Sequence, residues 1–387
     1  MKKRLFLIVI MTAMISSLLT IAGISMLFNL DINGAVNIGR LLTAKMIIEK
    51  QYVKEVDGDK LIGGAISGMV HALGDPHSVY LEPKIYKQLK ADTSGMFGGI
   101  GVYMNFKDKG VEILSVIKGS AGEKAGLKVG DKIMEINGEK VGEIETGEVA
   151  LKIRGEIGTN VELLIRRDGE DDKIYNIKRE IVKVQTVRWN KLNEKIGYIR
   201  ITNFSESTGK EFKSALEILE KENMEGLILD LRQNPGGVIT SCVEIAREIV
   251  PKGPIVSVIE RDGTKETYSS ELEKEKYPIV VLLDQNSASA SELLAGALQD
   301  TKAAVVVGTK SYGKGTVQTV IPMFREDGLK LTIAKYYTPS GRSIDGTGII
   351  PDYEVKLEEP LSSEMELGEK KDEQLIKAEE ILEEKLK

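Results

Sequence analysis

From residue 195 onward the sequence alternates short apolar runs with longer stretches that are apolar on one side only. The runs are "KIGYIRI", "GLILDLR", "YPIVVLLD" and "AAVVVG". Strands that are apolar along most of their length are typical of a sheet buried on both faces. The stretches between them carry apolar residues three and four positions apart, the period of an amphipathic helix. This alternation predicts an α/β core with layered helices over residues 181–357.

Other parts of the chain have different patterns of apolar and charged residues. Residues 34–93 have apolar side chains at helical spacing and predict a helical region. Residues 94–180 change to short alternating strands with turns at "NGE" and "RDGE" and one short helix at "TGEVALKIRG", which predicts a compact β-rich domain. After residue 358 the chain is rich in glutamate and lysine, so we expect a charged, solvated helical tail over residues 358–387.

The first 33 residues have the features of a membrane anchor. Lys2, Lys3 and Arg4 precede an uncharged run from Leu5 to Leu30. A run of that length can cross a bilayer, which needs about 20 residues, and it exceeds the roughly 7–15 residue apolar core of a signal peptide. We therefore expect a single-pass cell-membrane protein whose remainder is extracytoplasmic. The alternative is a protein secreted after signal cleavage.

Composition limits the available chemistry. The net charge of −6 gives no reason to expect a nucleic-acid partner. The one cysteine, Cys242, excludes an intrachain disulfide and is expected in the core, because it shares a helical face with apolar residues. The two histidines, His71 and His77, are the only possible imidazole bases, and no nucleophile is organised around either. We expect no metal ion and no other cofactor.

The stretch "DQNSASASELLAGALQD" (284–300) has three serines where an apolar run meets a helical one. Ser289 and Glu292 fit the S-x-x-E capping box, so Ser289 could simply begin the helix. The same position would suit a nucleophile. The helix N-terminus favours a developing oxyanion, and small neighbours let a peptide backbone approach. This stretch alone leaves both interpretations open.

A nucleophilic serine needs a base. Lys314 lies between two glycines in "SYGKGTVQ", 25 residues after Ser289. An ordinary lysine has a pKa of about 10.4 and is protonated at neutral pH, but desolvation can lower that pKa by up to about 3–5 units. Gln318 could orient the amine through its side-chain carbonyl. The alternative is an exposed loop lysine, which is more common.

Two glycine-rich segments near these residues have different interpretations. "GTKSYGKG" (308–315) nearly matches a phosphate-binding loop, but Gly315 replaces the required hydroxyl residue and β-like sequence follows, so we reject a nucleotide site. "LILDLRQNPGG" ends a buried strand at Gly236 and Gly237. Their N–H groups, with that of Ala290, could form an oxyanion hole. The alternative is an ordinary strand-to-helix turn.

Together these residues resemble the carboxyl-terminal processing peptidases, also called tail-specific proteases. The resemblance extends from about residue 40 to 355. It implies a serine endopeptidase with a Ser/Lys dyad and an acyl-enzyme intermediate. Ser289 matches the nucleophile, Lys314 the base and Gln318 the lysine-orienting glutamine, while Asp300 matches an acidic position that some members need. The segments that carry the resemblance, in the family's order, are "DPHSVYL", "TSGMFGGIGV", "GSAGEKAGLKVGDKIMEING", "LDLRQNPGG", "SASASELLAGALQD", "YGKGTVQ" and "LTIAKYYTPSGRSIDGTGIIPD".

The segment 94–180 resembles the PDZ domain of that family. Its "GGIG" matches the loop whose backbone amides receive a chain's terminal carboxylate, which implies that unfolded or apolar protein C-termini are the substrates. The residues of this loop are Gly98, Gly99, Ile100 and Gly101.

A protease that attacks unfolded tails would be hazardous if it were always open, so substrate binding should help to assemble its site. Arg154, which follows the short helix of the PDZ-like segment, is our candidate to bridge that segment to a carboxylate or carbonyl of the core. The alternative is a solvated surface arginine. A second function class is a catalytically silent PDZ scaffold that only binds tails. The sequence leaves open whether the chain forms a homo-oligomer.

Overall fold

The computed structural model describes residues 11–16, 23, 31–107, 110–357 and 372–387. The chain divides into two compact units, residues 1–80 and 81–387. The predicted anchor run, residues 5–30, lies mostly outside the described residues. Of the helices that the structure describes, none has the length and apolar character needed to cross a bilayer.

From residue 31 onward, the described part of the first unit includes the helices α1 (Ile32–Gln51) and α2 (Gly58–His71). Each begins after an aspartate, Asp31 or Asp57, whose carboxylate accepts backbone N–H groups of the first turn. A short strand, β1 (Val79–Leu81), follows, and the second unit then opens with helix α3 (Pro83–Ser94). The helical region predicted from the spacing of apolar residues is therefore present.

The next part of the chain is a β-rich body built on one antiparallel sheet of order β3-β4-β5-β7-β8, with β6 beside β5. Alternate residues of β7 are buried, as expected of a strand with one face on a core. Strand β2 pairs separately with β9. The elements are β2 (Met96–Gly99), β3 (Val102–Lys107), β4 (Gly110–Val116), α4 (Ala121–Ala125), β5 (Lys132–Ile136), β6 (Glu139–Lys140), α5 (Thr146–Ile153), β7 (Asn160–Arg166), β8 (Lys173–Lys178) and β9 (Glu180–Lys183).

The α/β core contains a six-stranded sheet of order β10-β11-β12-β15-β16-β19. Strands β10 and β11 are antiparallel and the remaining pairs are parallel. Every residue of β12 and β15 is buried, which confirms the prediction of a sheet covered on both faces. The strands are β10 (Val187–Lys191), β11 (Ile196–Ile201), β12 (Gly226–Asp230), β15 (Ile279–Leu283), β16 (Ala304–Gly308) and β19 (Tyr353–Glu354).

Helices cover both faces of this sheet. One face packs against α6 (Thr208–Lys221), α7 (Ile239–Ile249) and α8 (Ala290–Asp300), and Cys242 lies in that core as predicted. The other face packs against α9 (Glu373–Lys385). A second, antiparallel sheet includes β17 (Thr316–Pro322), β18 (Gly328–Tyr337), β13 (Gly253–Glu260) and β14 (Lys265–Ser270), in that order.

The expectation of a solvated C-terminal tail is wrong for α9. The helix is present, but one side of it is buried against the sheet. Among the many glutamates and lysines, apolar residues recur at helical spacing and form a stripe along the helix. That stripe covers a sheet face that would otherwise be exposed to water. The buried apolar residues of the stripe are Leu375, Ala378, Ile381 and Leu382.

Candidate active site

The topology of the parallel sheet brings three predicted loops together. Strands β12, β15 and β16 are parallel neighbours, so their carboxyl ends lie along one edge of the sheet. The turn after β12 contains Gly236 and Gly237, the turn after β15 leads to Ser289, and the loop after β16 contains Lys314. Residues far apart in sequence therefore meet at the edge where open α/β sheets bind their ligands.

A single buried carboxylate joins the loops of Ser289 and Lys314. Glu292 is 0% exposed. Its Oε2 accepts the backbone N–H of Ser289 and that of Lys314, both at 2.8 Å. Its Oε1 accepts the N–H of Gly313 and the hydroxyl of Ser311, both at 2.6 Å. Because one oxygen binds both amides, the backbone nitrogens of Ser289 and Lys314 lie within two hydrogen-bond lengths of each other.

The three serines of the 284–300 stretch have different environments. Ser287 donates its hydroxyl to the carbonyl of Leu231 at 2.9 Å, and Ser291 donates its own to the carbonyl of Asn234 at 3.0 Å. Both side chains are fully buried, whereas Ser289 is 9% exposed. Ser289 also has φ 54° and ψ −115°, a conformation that residues other than glycine rarely adopt. Such backbone strain is concentrated at functional sites.

The turn after β12 is bonded directly to the segment that carries Ser289. The carbonyl of Asn234 accepts the N–H of Ala288 at 3.0 Å. A Cβ at Gly236 would lie 2.8 Å from the Cβ of Ser289, and one at Gly237 would lie 2.0 Å from the carbonyl oxygen of Phe204. Both positions therefore require glycine. The N–H of Gly236 donates to the side-chain oxygen of Asn234 at 2.9 Å, which narrows the candidate oxyanion donors to Gly237 and Ala290.

The two glycines beside Lys314 are explained by a neighbouring loop, residues 344–348. The carbonyl of Gly313 accepts the N–H of Gly346 at 2.9 Å. A Cβ at Gly315 would lie 2.4 Å from the backbone nitrogen of Asp345. The absence of side chains at both positions lets this loop enclose the backbone of Lys314, whose own side chain is partly buried.

Gln318 lies on β17, four residues after Lys314. Its side-chain amide nitrogen donates to the hydroxyl oxygens of Thr316 and Thr332, at 2.9 and 3.1 Å. With both of its N–H groups used in this way, the side chain can serve a neighbouring amine only through its carbonyl oxygen.

Asp300 lies at the far end of α8, about 16 Å along the helix from Ser289 at about 1.5 Å per residue. Its carboxylate accepts the N–H of Ser340 at 3.0 Å and the hydroxyl of the same residue at 2.6 Å, and it pairs with Arg342. Burial alone would raise the pKa of Asp300, but these donors hold it below its usual range. Asp300 therefore fastens the segment that leads into the 344–348 loop.

Comparison with known proteins agrees with this geometry. The model for peptidase family S41 matches residues 195–355, that for the N-terminal domain of the activating protease CtpB matches 30–85, and a PDZ domain model matches 112–167. The carboxy-terminal processing protease CtpB of Bacillus subtilis (strain 168) is 41% identical over 336 residues, which cover 82% of this chain and 70% of CtpB. The chain belongs to the carboxy-terminal processing proteases of family S41.

A second relative supports the assignment of this S41 serine peptidase, and a solved structure shares its fold. Carboxy-terminal processing protease CtpA of the same organism is 38% identical over 360 residues, covering 92% of this chain and 77% of CtpA. A structure assigned to the S41 proteases of Bacteroides fragilis NCTC 9343 has the same fold, with a TM-score of 0.55 at 17% identity. The match covers 88% of this chain and 96% of that one. Within the described residues of this peptidase, no cluster of histidine, cysteine, aspartate or glutamate could hold a metal ion.

The predicted carboxylate-binding loop of the peptidase's PDZ domain is buried and closely packed. All four of its residues, 98–101, are buried. The carbonyl of Gly98 accepts the N–H of Gly155 at 3.0 Å, and a Cβ at Gly98 would lie 2.1 Å from the carbonyl oxygen of Gly155. The loop thus packs directly against the residues that follow α5, so a shift of the loop would displace those residues.

Arg154 lies beside this loop, but its partner is not the one we expected. Its guanidinium carbon is 4.0 Å from the ring centroid of Phe97, and its Nη1 is 3.5 Å from the carboxylate of Asp92. Asp92 belongs to α3, which precedes the PDZ domain, rather than to the 181–357 core. Sequence reasoning could not find this partner, because an acidic residue near the end of a surface helix has no distinguishing pattern.

Helix α3 in turn contacts the hairpin of β17 and β18. Lys87 pairs with Glu326 at the hairpin turn, at 2.6 Å. A Cβ at Gly328 would lie 3.1 Å from the ring of Tyr86, so helix and hairpin are in close contact there. The hairpin carries Gln318. Helix α3 is therefore situated between Arg154 and the strand that contains the glutamine of the candidate site.

Proposed function

We propose that this peptidase is a membrane-anchored, extracytoplasmic endopeptidase that binds unfolded or apolar protein C-termini through its PDZ domain and cleaves near them with a Ser289/Lys314 dyad. The observation that carries the dyad is the shared acceptor, Glu292 Oε2, which fixes the backbones of both residues side by side. The strained backbone of Ser289, which retains 9% exposure between two fully buried serines, supports its choice as the nucleophile.

In this mechanism Lys314 acts as a neutral amine. It takes the hydroxyl proton of Ser289 as Oγ attacks the scissile carbonyl, and the N–H groups of Gly237 and Ala290 stabilise the resulting oxyanion. The protonated amine then gives the proton to the leaving nitrogen, which leaves an acyl-enzyme on Ser289. A water activated by the same amine hydrolyses the ester. The side-chain carbonyl of Gln318 orients the amine throughout.

Recognition of C-termini predicts a specific dependence on the terminal carboxylate. A denatured protein with a free C-terminus should be cleaved faster than the same chain with an amidated terminus, because the loop at 98–101 binds the carboxylate through backbone amides. The measurement is the initial rate of cleavage of each chain at equal concentration. Equal rates would remove C-terminal recognition from the proposal. Tail binding without any cleavage would instead indicate a silent scaffold.

Arg154→Ala should lower turnover of a protein tail by several-fold or more while leaving tail affinity nearly unchanged. The substitution removes the contacts with Phe97 and Asp92 that join the PDZ loop to α3. The matched control is Lys152→Ala, two positions before Arg154. This substitution removes a cation that pairs with the exposed Glu139. Turnover and tail affinity are measured separately, by cleavage and by binding to an inactive Ser289→Ala background. Equal turnover in wild type and both variants would exclude Arg154 from the relay.

The proposed location predicts a topology. The basic residues 2–4 should stay in the cytoplasm, and residues beyond about 31 should lie outside it. Protease added to intact protoplasts should therefore release the globular part of the chain from the membrane. Protection of that part until the cells are lysed would mean that the orientation is reversed or that the protein is not exported.

A further inference from the structure

The arginine two residues after the end of strand β12 is held by two carboxylates. Arg232 is 2% exposed. Its Nε and Nη2 donate to the two oxygens of Asp230 at 3.0 and 2.6 Å. Its Nη1 donates to Asp372 at 2.9 Å and to the side-chain oxygen of Gln374 at 3.1 Å, and its Nη2 is 2.7 Å from the second oxygen of Asp372. Asp372 and Gln374 belong to the beginning of the C-terminal helix, 140 residues further along the chain.

These contacts hold the guanidinium of Arg232 in one orientation. The planar group is bound along two of its sides, and each side engages a carboxylate in the bidentate manner that favours arginine. Asp230 is itself fixed, because it also accepts the hydroxyl of Tyr198 at 2.6 Å. Burial alone would raise the pKa of Asp230, but the charge of Arg232 holds it below its usual range. Asp230, Arg232 and Asp372 are all buried, and loss of one partner of a buried charge pair is costly.

Arg232 is also part of the turn that reaches the nucleophile. Its backbone N–H donates to Asp230 at 2.9 Å. The next residue, Gln233, has φ 60°, and its N–H is held by Asp284 at 2.9 Å. Asn234 follows, and its carbonyl accepts the N–H of Ala288 and the hydroxyl of Ser291. Only Gln233 therefore separates the arginine from Asn234, whose carbonyl is bonded to the serine segment.

We propose that Asp372, at the start of the C-terminal helix α9, is a positioning residue that sets the oxyanion turn through Arg232. The proposal rests on the Ser289 mechanism above. Asp372 touches neither substrate nor the reacting atoms. Its carboxylate fixes the guanidinium, and the guanidinium fixes the backbone from which Gly237 is presented. The start of the C-terminal helix would then position the oxyanion turn, while the rest of the helix covers the sheet.

The chain offers a conservative variant and a matched control. Asp372 also begins α9 by accepting the N–H of Leu375 at 3.0 Å, and asparagine is an equally good residue at that position. Asp372→Asn should therefore keep the helix start while it removes the charge that binds Arg232. Leu382→Ala removes a buried apolar side chain that lies ten residues beyond Asp372 in the same helix and packs on the same sheet. It weakens the docking of α9 alone.

The test is to measure kcat and KM for a denatured protein tail, at a temperature where circular dichroism shows each variant folded. We expect Asp372→Asn to lower kcat about tenfold or more with KM unchanged, because small displacements of a catalytic group have effects of this size. Asp372→Glu should restore part of kcat. Leu382→Ala should lower the Tm and leave kcat within about twofold of wild type. If Asp372→Asn does not fold, Gln374→Met replaces it, with a smaller expected loss of kcat.

The outcomes separate this inference from the proposed function. Wild-type kcat in Asp372→Asn, with Ser289→Ala inert, would overturn the positioning role and leave the dyad intact. The positioning role would also be overturned if kcat fell in proportion to Tm to the same extent in Asp372→Asn and in Leu382→Ala. That result would show that α9 affects catalysis only through stability. Activity in Ser289→Ala would instead overturn the proposed function.

Discussion

Replacing Ser289 with alanine should abolish peptide-bond hydrolysis, with a fall in kcat of about 10⁴-fold or more, because removal of a nucleophilic serine has effects of this order. Folding should be nearly unaffected, since loss of a helix cap costs about 0.5–2 kcal/mol. Cleavage of a denatured protein and the Tm are the two measurements. If Ser289→Ala cleaves at the wild-type rate, Ser289 is not the nucleophile.

The flanking serines are the controls for this result. Ser287→Ala and Ser291→Ala should retain substantial activity, because both hydroxyls are fully buried and already donate to backbone carbonyls, so neither can act as the nucleophile. Each substitution leaves a buried carbonyl with one donor fewer, so each should reduce the free energy of unfolding by about 1–3 kcal/mol. These two variants are therefore expected to lose stability and keep activity, the reverse of Ser289→Ala.

The same prediction extends to the base. Lys314→Arg should be inactive, because a guanidinium stays protonated and cannot accept the serine proton. His71→Gln and His77→Gln should hydrolyse the substrate within several-fold of the wild-type rate, once their folding is confirmed. A well-folded but inactive His77→Gln enzyme would point to a histidine base instead of Lys314.

Glu292→Gln should lower kcat by about 100-fold, because a shift of about 1 Å between catalytic groups is worth that factor. The carboxylate of Glu292 accepts four donors, including the N–H groups of Ser289 and Lys314. A glutamine would turn an NH₂ group towards two of them. Each unsatisfied buried group should also cost about 1–3 kcal/mol of stability.

A surface glutamate provides the matched control for this substitution. Glu248 pairs with Lys213 at 2.7 Å on the surface of the core, and such exposed pairs contribute about 0–1 kcal/mol. Glu248→Gln should therefore leave both kcat and Tm close to wild type. The role of Glu292 would be refuted by a Glu292→Gln enzyme whose kcat matches that of Glu248→Gln.

Local pattern was enough to predict the core sheet and the loops that end at its edge. The uninterrupted apolar residues of β12 and β15 reflect burial on both faces, which a single sequence displays directly. The capping box of Ser289 and Glu292 was also visible, and the bond from the N–H of Ser289 to Glu292 is present. What the motif could not indicate is that the same carboxylate binds Lys314, because that contact joins two separate loops of the fold.

Two other features could not be predicted from the sequence, for a related reason. The apolar stripe of α9 has only four buried apolar residues among many charges. Its burial can be predicted only when the sheet face that it covers is known. The partner of Arg154 is a surface aspartate, Asp92, at 3.5 Å. Both depend on the placement of elements that are distant in sequence, which hydrophobic periodicity does not specify.

The central claim, that Lys314 activates Ser289, is tested most directly by covalent labelling. Wild-type enzyme is treated with a fluorophosphonate, digested and mapped by mass spectrometry, and the rate of labelling is followed in the wild type, Ser289→Ala and Lys314→Arg. The account predicts one adduct, on the peptide that contains Ser289, which is absent in Ser289→Ala and forms far more slowly in Lys314→Arg. An adduct on another residue, or labelling of Ser289 in Lys314→Arg at the wild-type rate, would contradict it.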